Sequence, residues 1–312
     1  MQKLLILLVL LSSYVRAYPV TVDNCGQPLV ISKKPVRMIT HDVNITEMAF
    51  ALHLQTSIIG ITGVAGRNKR TKQFEQQQGD IPVLANRYAP LETILINQPD
   101  LFFSGWGYGM NLGGAVTPAN LRKYGINTLI LSESCIRINQ AKYNHATMNY
   151  LYDDMIRLGI IFDKQLVAAK LVQQWQQKIK ALGHSLIRQK PLRVFVYDSG
   201  QDKALTAGRC SILTAMIASL GSNNIMDDLA INWGRVSWEV VAIREPELII
   251  LIDYMSRDHV KDSQNFLENH PLMKLTPAVR NKRYVVLNYL EVTPSPSNIE
   301  GIEKIAEGIR QP

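Results

Sequence analysis

Cysteine is scarce: Cys25, Cys135 and Cys210 are the only three in 312 residues, and no Cys-x-x-Cys pair occurs. That spacing excludes a zinc ribbon or a dithiol redox centre. Histidine is equally thin, since His41, His53, His145, His184, His259 and His270 are scattered and no histidine-rich loop gathers them. A bare zinc or manganese ion needs several converging nitrogen and oxygen ligands, and the sequence offers no such group. No run of five or six like charges marks a nucleic-acid partner. Neither a Gly-x-Ser-x-Gly elbow nor a His-Glu-x-x-His pair is present, and the expected protein is not an enzyme.

Long apolar runs are also missing after residue 11; residues 4–11 are the exception. They follow Lys3 and lead to Val15-Arg16-Ala17, the pattern of an export signal cut near Ala17 and too short to span a bilayer. Tyr18, not cysteine, follows, so no lipid anchor is expected. Losing Lys3 and Arg16 lowers the formal net charge from +8 to +6, a moderate and dispersed positive balance. Export permits a disulfide, and three cysteines leave one unpaired. Cys135 and Cys210 each follow a strand or turn facing the same region, which makes Cys135–Cys210 the expected bridge.

What is present is a long-period echo. Glu92, Pro99, Asp100 and Leu101 recur at the same offsets as Glu239, Pro246, Glu247 and Leu248. Lys34-Pro35-Val36-Arg37-Met38 is matched by Lys190-Pro191-Leu192-Arg193-Val194. Two echoes in the same order predict two similar lobes and not a solenoid, whose periods are far shorter. Strands predicted at 36–40, 58–64, 81–85, 101–103 and 127–131 alternate with helices at 44–54, 91–97, 117–124 and 146–158, the last ending at Gly159. The second lobe repeats that order, with strands at 193–197, 248–253 and 283–288 and helices at 210–220, 236–243 and 299–309. Such alternation predicts an α/β fold of two lobes, each a mainly parallel sheet covered by helices.

Between the lobes, residues 163–188 carry one apolar stripe: Ala168, Val172, Trp175, Ile179, Leu182 and Leu186. A helix of that length reaches roughly 35–40 Å, enough for a single backbone helix joining both lobes. The expected organisation is a leader at 1–17, a first lobe at 18–147, a linker region at 148–189 and a second lobe at 190–312. Residues 104–117 break the alternation with a glycine-rich, aromatic stretch directly after a strand end, where open α/β sheets bind ligands. Trp106 and Tyr108 are expected there as exposed contacts on a flexible backbone.

The chain resembles the periplasmic substrate-binding proteins of iron–siderophore, haem and vitamin B12 ABC importers. Pro35-Val36-Arg37-Met38-Ile39, Glu92 with Gln98-Pro99-Asp100-Leu101, residues 154–159 and Val236-Ser237-Trp238-Glu239 carry the likeness over residues 30–309. The resemblance implies a periplasmic, monomeric carrier without intrinsic cofactor that holds cargo between its lobes. It also implies that Glu92 and Glu239 dock onto arginines of a dimeric ABC permease. The expected cargo is a chelated metal, foremost a ferric siderophore, with cobalamin or haem as alternatives. A ligand-presenting sensor or a secreted enzyme is the alternative of another class. Position after strand ends nominates His41, Arg67, Tyr88, Trp106, Tyr108, Arg209, Trp233, Arg235 and Tyr254 as ligand contacts. Arginine suits acidic chelate oxygens, and aromatic rings cover apolar faces.

Overall fold

The computed structural model describes residues 18–65, 69–186, 190–254 and 258–311. The expected leader and Arg67 lie outside them. A hairpin of β1 (Val20–Asn24) and β2 (Gln27–Ile31) precedes the first sheet. That sheet comprises β3 (Met38–His41), β4 (Ile58–Thr62), β5 (Val83–Ala85), β6 (Leu101–Trp106), β7 (Gly109–Met110) and β8 (Asn127–Ile130). Its order is β5-β4-β3-β6, β8 continues it beyond β6, β7 pairs with the end of β6, and every pairing is parallel. The second lobe holds β9 (Arg193–Tyr197), β10 (Ala204–Ala207), β11 (Asn223–Asn224), β12 (Trp233–Val236), β13 (Leu248–Asp253) and β14 (Tyr284–Asn288). Its parallel sheet runs β11-β9-β13-β14, and β10 and β12 form a separate antiparallel ribbon. Val236, expected to begin a helix, ends that ribbon instead, and Ser237 opens the helix Trp238–Ile243. The central strands β3, β6 and β13 are buried along nearly their whole length, as helix cover on both faces requires.

The echoed motif is one structural clip used twice. In the first lobe the Asp100 carboxylate accepts the backbone N–H groups of Val36 (2.8 Å) and Arg37 (3.0 Å). The Arg37 guanidinium donates to the carbonyls of Asn97 (2.6 Å) and Gln98 (2.9 Å), which end the helix Leu91–Ile96. In the second lobe Glu247 accepts from the Arg193 N–H (3.0 Å), and Arg193 donates to the Glu245 carbonyl (2.8 Å) beyond the helix Trp238–Ile243. Gln98 and Glu245 both take positive φ, 45° and 46°. A cation on the last carbonyls of a helix satisfies groups that have no partner within it and complements the helix dipole.

The joining helix is Gln165–His184, 20 residues and about 30 Å long, shorter than the sequence pattern suggests. Its start is set by a reversal at Asp163 (φ 56°). The preceding helix, Asn149–Ile161, does not stop at Gly159 as expected but runs through it. A Cβ on Gly159 would lie 2.7 Å from the Cβ of Ala168, so this glycine permits close approach of the two helices. Farther along, Lys178 pairs with Glu303 of the final helix, Asn298–Arg310, at 2.7 Å, anchoring the joining helix to the second lobe.

The disulfide is Cys25–Cys135 (Cα–Cα 5.2 Å) and not Cys135–Cys210. Asn24 explains the choice: its side chain donates to the Thr128 carbonyl (3.0 Å) and accepts from the Ile130 N–H (2.8 Å), laying the β1–β2 turn on β8. Cys210 is buried and unpaired, with Sγ 3.1 Å from the Asn144 carbonyl oxygen. Denatured, unreduced protein should therefore titrate one thiol, rising to three on reduction. Replacing Cys25 and Cys135 together by serine should lower stability to urea by about 4 kcal/mol, the loss expected for opening a loop of this length.

Candidate functional site

The strands of both sheets end at a common cleft of about 640 Å³. Trp106 closes β6, Asp198 follows β9, Tyr254 follows β13 and Tyr289 follows β14, and all four line this space. The first lobe adds Gly107, Tyr108, Leu112, Ile136, Arg137 and Gln140; the second adds Leu205, Ile231, Asn232, Trp233, Val292 and Thr293. Ligands bind at this end of parallel sheets because the connecting loops diverge there.

Four of the nominated residues line the cleft: Trp106, Tyr108, Trp233 and Tyr254. Of the others, Arg67 lies outside the described residues, and His41, Tyr88, Arg209 and Arg235 are not part of this lining. His41 is only 1 % exposed, its Nδ1 is 2.8 Å from the Thr62 hydroxyl, and burial lowers its pKa to about 4. Tyr88 sets its ring edge-on to His41, with centroids 4.9 Å apart. Arg209 is half-buried beside Cys210, and Arg235 is exposed on the β10–β12 ribbon, donating to the Lys203 carbonyl (3.2 Å).

The first part of the glycine-rich stretch, residues 104–110, is not the exposed loop expected, whereas 111–113 are exposed. β6 continues to Trp106, which is 7 % exposed, and Gly107 and Gly109 (φ 82° and 94°) turn the chain back so that β7 pairs with it. A Cβ on Gly109 would lie 2.6 Å from the His41 ring. His41 thus backs the turn that presents the cleft aromatics.

Under the cleft lie two carboxylates that position-based reasoning passed over. Glu133 is 1 % exposed; it accepts the Ile212 N–H from the second lobe (2.6 Å) and the Tyr108 hydroxyl (3.1 Å). Burial outweighs these donors and raises its pKa to about 7. Asp42 accepts from Lys69 Nζ (2.7 Å) and from the hydroxyl of Tyr289 in the second lobe (2.8 Å), and caps its own helix at the Val43 N–H (2.7 Å). Lys69 also lies 4.1 Å over the Tyr289 ring. Tyr254 donates to Asp198 within the second lobe. Arg137 has no carboxylate in ion-pairing range among the described residues, and its guanidinium packs against Gly107. Arg137 and Tyr289 could have been found by searching the residues just beyond the strands predicted at 127–131 and 283–288.

The arrangement is suited to enclosing a solute. Among the described residues no three histidine, cysteine, aspartate or glutamate side chains converge to hold a metal ion. Aromatic walls with few charged groups favour a large ligand with apolar faces and a small number of anchoring oxygens.

Comparison with known proteins is consistent with this geometry. The family model described as periplasmic binding protein matches residues 39–289. A Bacillus subtilis protein named as an uncharacterized ABC transporter substrate-binding lipoprotein is 22% identical over 297 residues, covering 94% of this chain and 86% of its own. A vitamin B12-binding protein of Pectobacterium atrosepticum is 25% identical over 222 residues, covering 70% and 71%. Among solved structures, a periplasmic binding protein from Veillonella parvula superposes with TM-score 0.81 at 20% identity, covering 93% of this chain and 96% of that one. A protein of an ABC-type Fe3+-hydroxamate transport system from Saccharomonospora viridis gives 0.76 at 24% identity, covering 94% and 100%.

Glu133 yields a pH test. Its folded pKa of about 7 exceeds the ordinary value of 4.5, so between them the folded chain keeps a proton that the unfolded chain releases. Its contribution is therefore fully present below the unfolded value and is lost as pH rises, levelling off above about 7. The loss should be up to about 3 kcal/mol. Urea midpoints measured from pH 4.5 to 8 should fall less steeply for Glu133→Gln than for wild type; parallel curves would contradict the assignment.

Proposed function

Because the chain belongs to the periplasmic binding protein family, we propose that it captures a chelated metal between its lobes and delivers it to the dimeric permease of an ABC importer. The observation that carries this reading is the cleft wall: Trp106, Tyr108, Trp233, Tyr254 and Tyr289 surround a space to which, among the described residues, one cationic side chain contributes, Arg137. Aromatic faces cover the organic periphery of a chelate, and the guanidinium can hold an anionic oxygen by paired charge-assisted hydrogen bonds. Among the described residues the lining carries one arginine and one carboxylate, Asp198, a balance that suits a complex of small net charge. A ferric siderophore of the hydroxamate class meets that requirement, and the Saccharomonospora viridis neighbour is named for such transport. Cobalamin is the second reading, favoured by the relatives named as vitamin B12-binding proteins. In either case the chelate is cargo and the chain supplies binding without chemistry.

Delivery is assigned to Glu92 and Glu239. Each is exposed in the first turn of a matched short helix, one per lobe, where a carboxylate also complements the helix dipole. Two acids at equivalent places orient a partner bearing complementary charge. The continuous helix Gln165–His184 limits closure, since it lacks the loop hinge that large domain motions use. The reading places the protein in the periplasm after loss of its leader, with lobes at 18–147 and 190–312 about the linker region 148–189.

Tryptophan fluorescence titrated with a ferric trihydroxamate, cyanocobalamin and haemin should show saturable quenching by at least one of them. Trp106→Ala should weaken that binding by about tenfold, the loss typical of a buried aromatic contact. No response to any of the three would overturn the chelate reading. Charge reversal at Glu92 and Glu239 should abolish delivery in an uptake assay and leave the fluorescence titration unchanged.

A further inference from the structure

The matched helices share more than their glutamates. Leu91–Ile96 and Trp238–Ile243 each end on an isoleucine, and Ile96 and Ile243 are both 82% exposed. Each stands four residues after its glutamate, the spacing that puts two side chains on one face of a helix. Scattered exposed apolar side chains need no explanation. The same residue at the same offset in both copies of a repeat does, because repetition alone does not preserve exposure: Val36 is 63% exposed, whereas its counterpart Leu192 is 4% exposed and buried.

Folding makes no use of these isoleucines. The clip that closes each helix uses Arg37 with Asp100, and Arg193 with Glu247, and the cores take Ile94 and Val241 from the same helices. Among the described residues neither Glu92 nor Glu239 has an ion-pair partner; the Glu239 carboxylate is engaged only locally, by the Ser237 hydroxyl and its own N–H at the helix start and by the nearby His270. Arg37 and Arg193, bonded to backbone carbonyls just beyond the helix ends, hold each acid–isoleucine pair on a firm support.

We propose that Glu92–Ile96 and Glu239–Ile243 are two copies of one docking contact, made to a membrane-embedded partner with two equivalent halves. Each half presents a cation beside an apolar recess. The inference rests on the docking reading above and extends it: the carboxylate supplies attraction and orientation, and the isoleucine supplies the surface that leaves water on contact. Duplication of both elements is what selects a partner of twofold character, since a single asymmetric partner gains nothing from equal contacts on two lobes. The protein's net positive charge sharpens the choice, because the two carboxylates stand out as the complement to a cationic surface.

Fluorescently labelled protein titrated onto inner-membrane vesicles from the cells that make it provides the test. Ile96→Ser and Ile243→Ser should each weaken binding by about tenfold, with the salt dependence of wild type retained, as expected for loss of an apolar contact. Glu92→Gln and Glu239→Gln should weaken it and flatten the salt dependence. Both isoleucines being 82% exposed at helix ends, thermal midpoints should not move, which separates lost docking from lost folding. Serine variants that bind as wild type, while the glutamine variants do not, overturn the inference and leave the docking reading intact. Glutamine variants that bind as wild type remove the docking reading itself, and the inference with it. An effect at one isoleucine only, or self-association of purified protein that the serine substitutions dissolve, also overturns it.

Discussion

Three carboxylates of the first lobe are set against donors of the second. Glu133 takes the Ile212 N–H, Asp42 takes the Tyr289 hydroxyl, and Glu47 takes the Ser297 hydroxyl (2.7 Å) and N–H (3.3 Å). Asn44 adds a fourth link, donating to the Pro294 carbonyl at 3.0 Å. A carboxylate removed from water is tolerable only while its hydrogen bonds are made. Separating the lobes would therefore strand these acids or oblige water to follow them in. Burial raises the pKa of both Glu47 and Glu133, so desolvation at the junction is not fully offset by its donors. The relative placement of the lobes depends on these contacts as much as on the helix that joins them.

The same contacts form the floor of the cleft. Tyr108 lines the space and donates to Glu133; Tyr289 lines it and donates to Asp42. A solute that displaces Tyr289 thus acts directly on an inter-lobe hydrogen bond, and one that displaces Tyr108 removes a donor from the carboxylate that receives the inter-lobe bond of Ile212. Coupling of this kind requires no long pathway, because the contact residue and the junction residue are bonded neighbours. It also favours small adjustments over wide opening, since each carboxylate has a fixed donor that it exchanges only at the expense of a buried, unsatisfied group.

Much of the architecture was legible in the sequence because its signals are local or repeated. Alternating apolar runs and helical stripes identify parallel, helix-covered sheets, and Lys-Pro-x-Arg with Glu-x6-Pro-acid-Leu betrays two lobes because the clip needs its arginine and its acid wherever it is built. The helix expected from 117 begins there because the Thr117 hydroxyl accepts the Asn120 N–H and Pro118 fits the first helical position. What was not legible depended on approach in three dimensions. Gly159 reads as a helix stop, yet its significance is the 2.7 Å that a Cβ would leave to Ala168. The pairing of Cys135 hinges on Asn24 binding β8 across more than a hundred residues of chain. Of the nominated ligand contacts, those that reach the cleft are aromatic, whereas His41, Arg209 and Arg235 follow strand ends in sequence but lie away from the space where the strands converge. Position after a strand is a one-dimensional criterion, and a cleft wall also depends on the neighbouring loop.

The His41 environment shows how that neighbour decides. Gly63 and Gly109 each bring backbone so near the imidazole that a Cβ would lie within 2.4 Å and 2.6 Å of it. Excluded from water and bonded to Thr62, the ring is held neutral, its pKa lowered to about 4 by burial. A neutral ring packed this closely under a glycine turn acts as a support for that turn. It fixes the turn after β6, and through that turn the positions of Trp106 and Tyr108. Aromatic walls already ordered before cargo arrives lose little conformational freedom on binding. Within the glycine-rich stretch, Gly105 and Gly109 thus help to fix the cleft, since a Cβ on either would lie 2.8 Å from Ser134 or 2.6 Å from His41, whereas one on Gly113 would meet nothing within 4 Å.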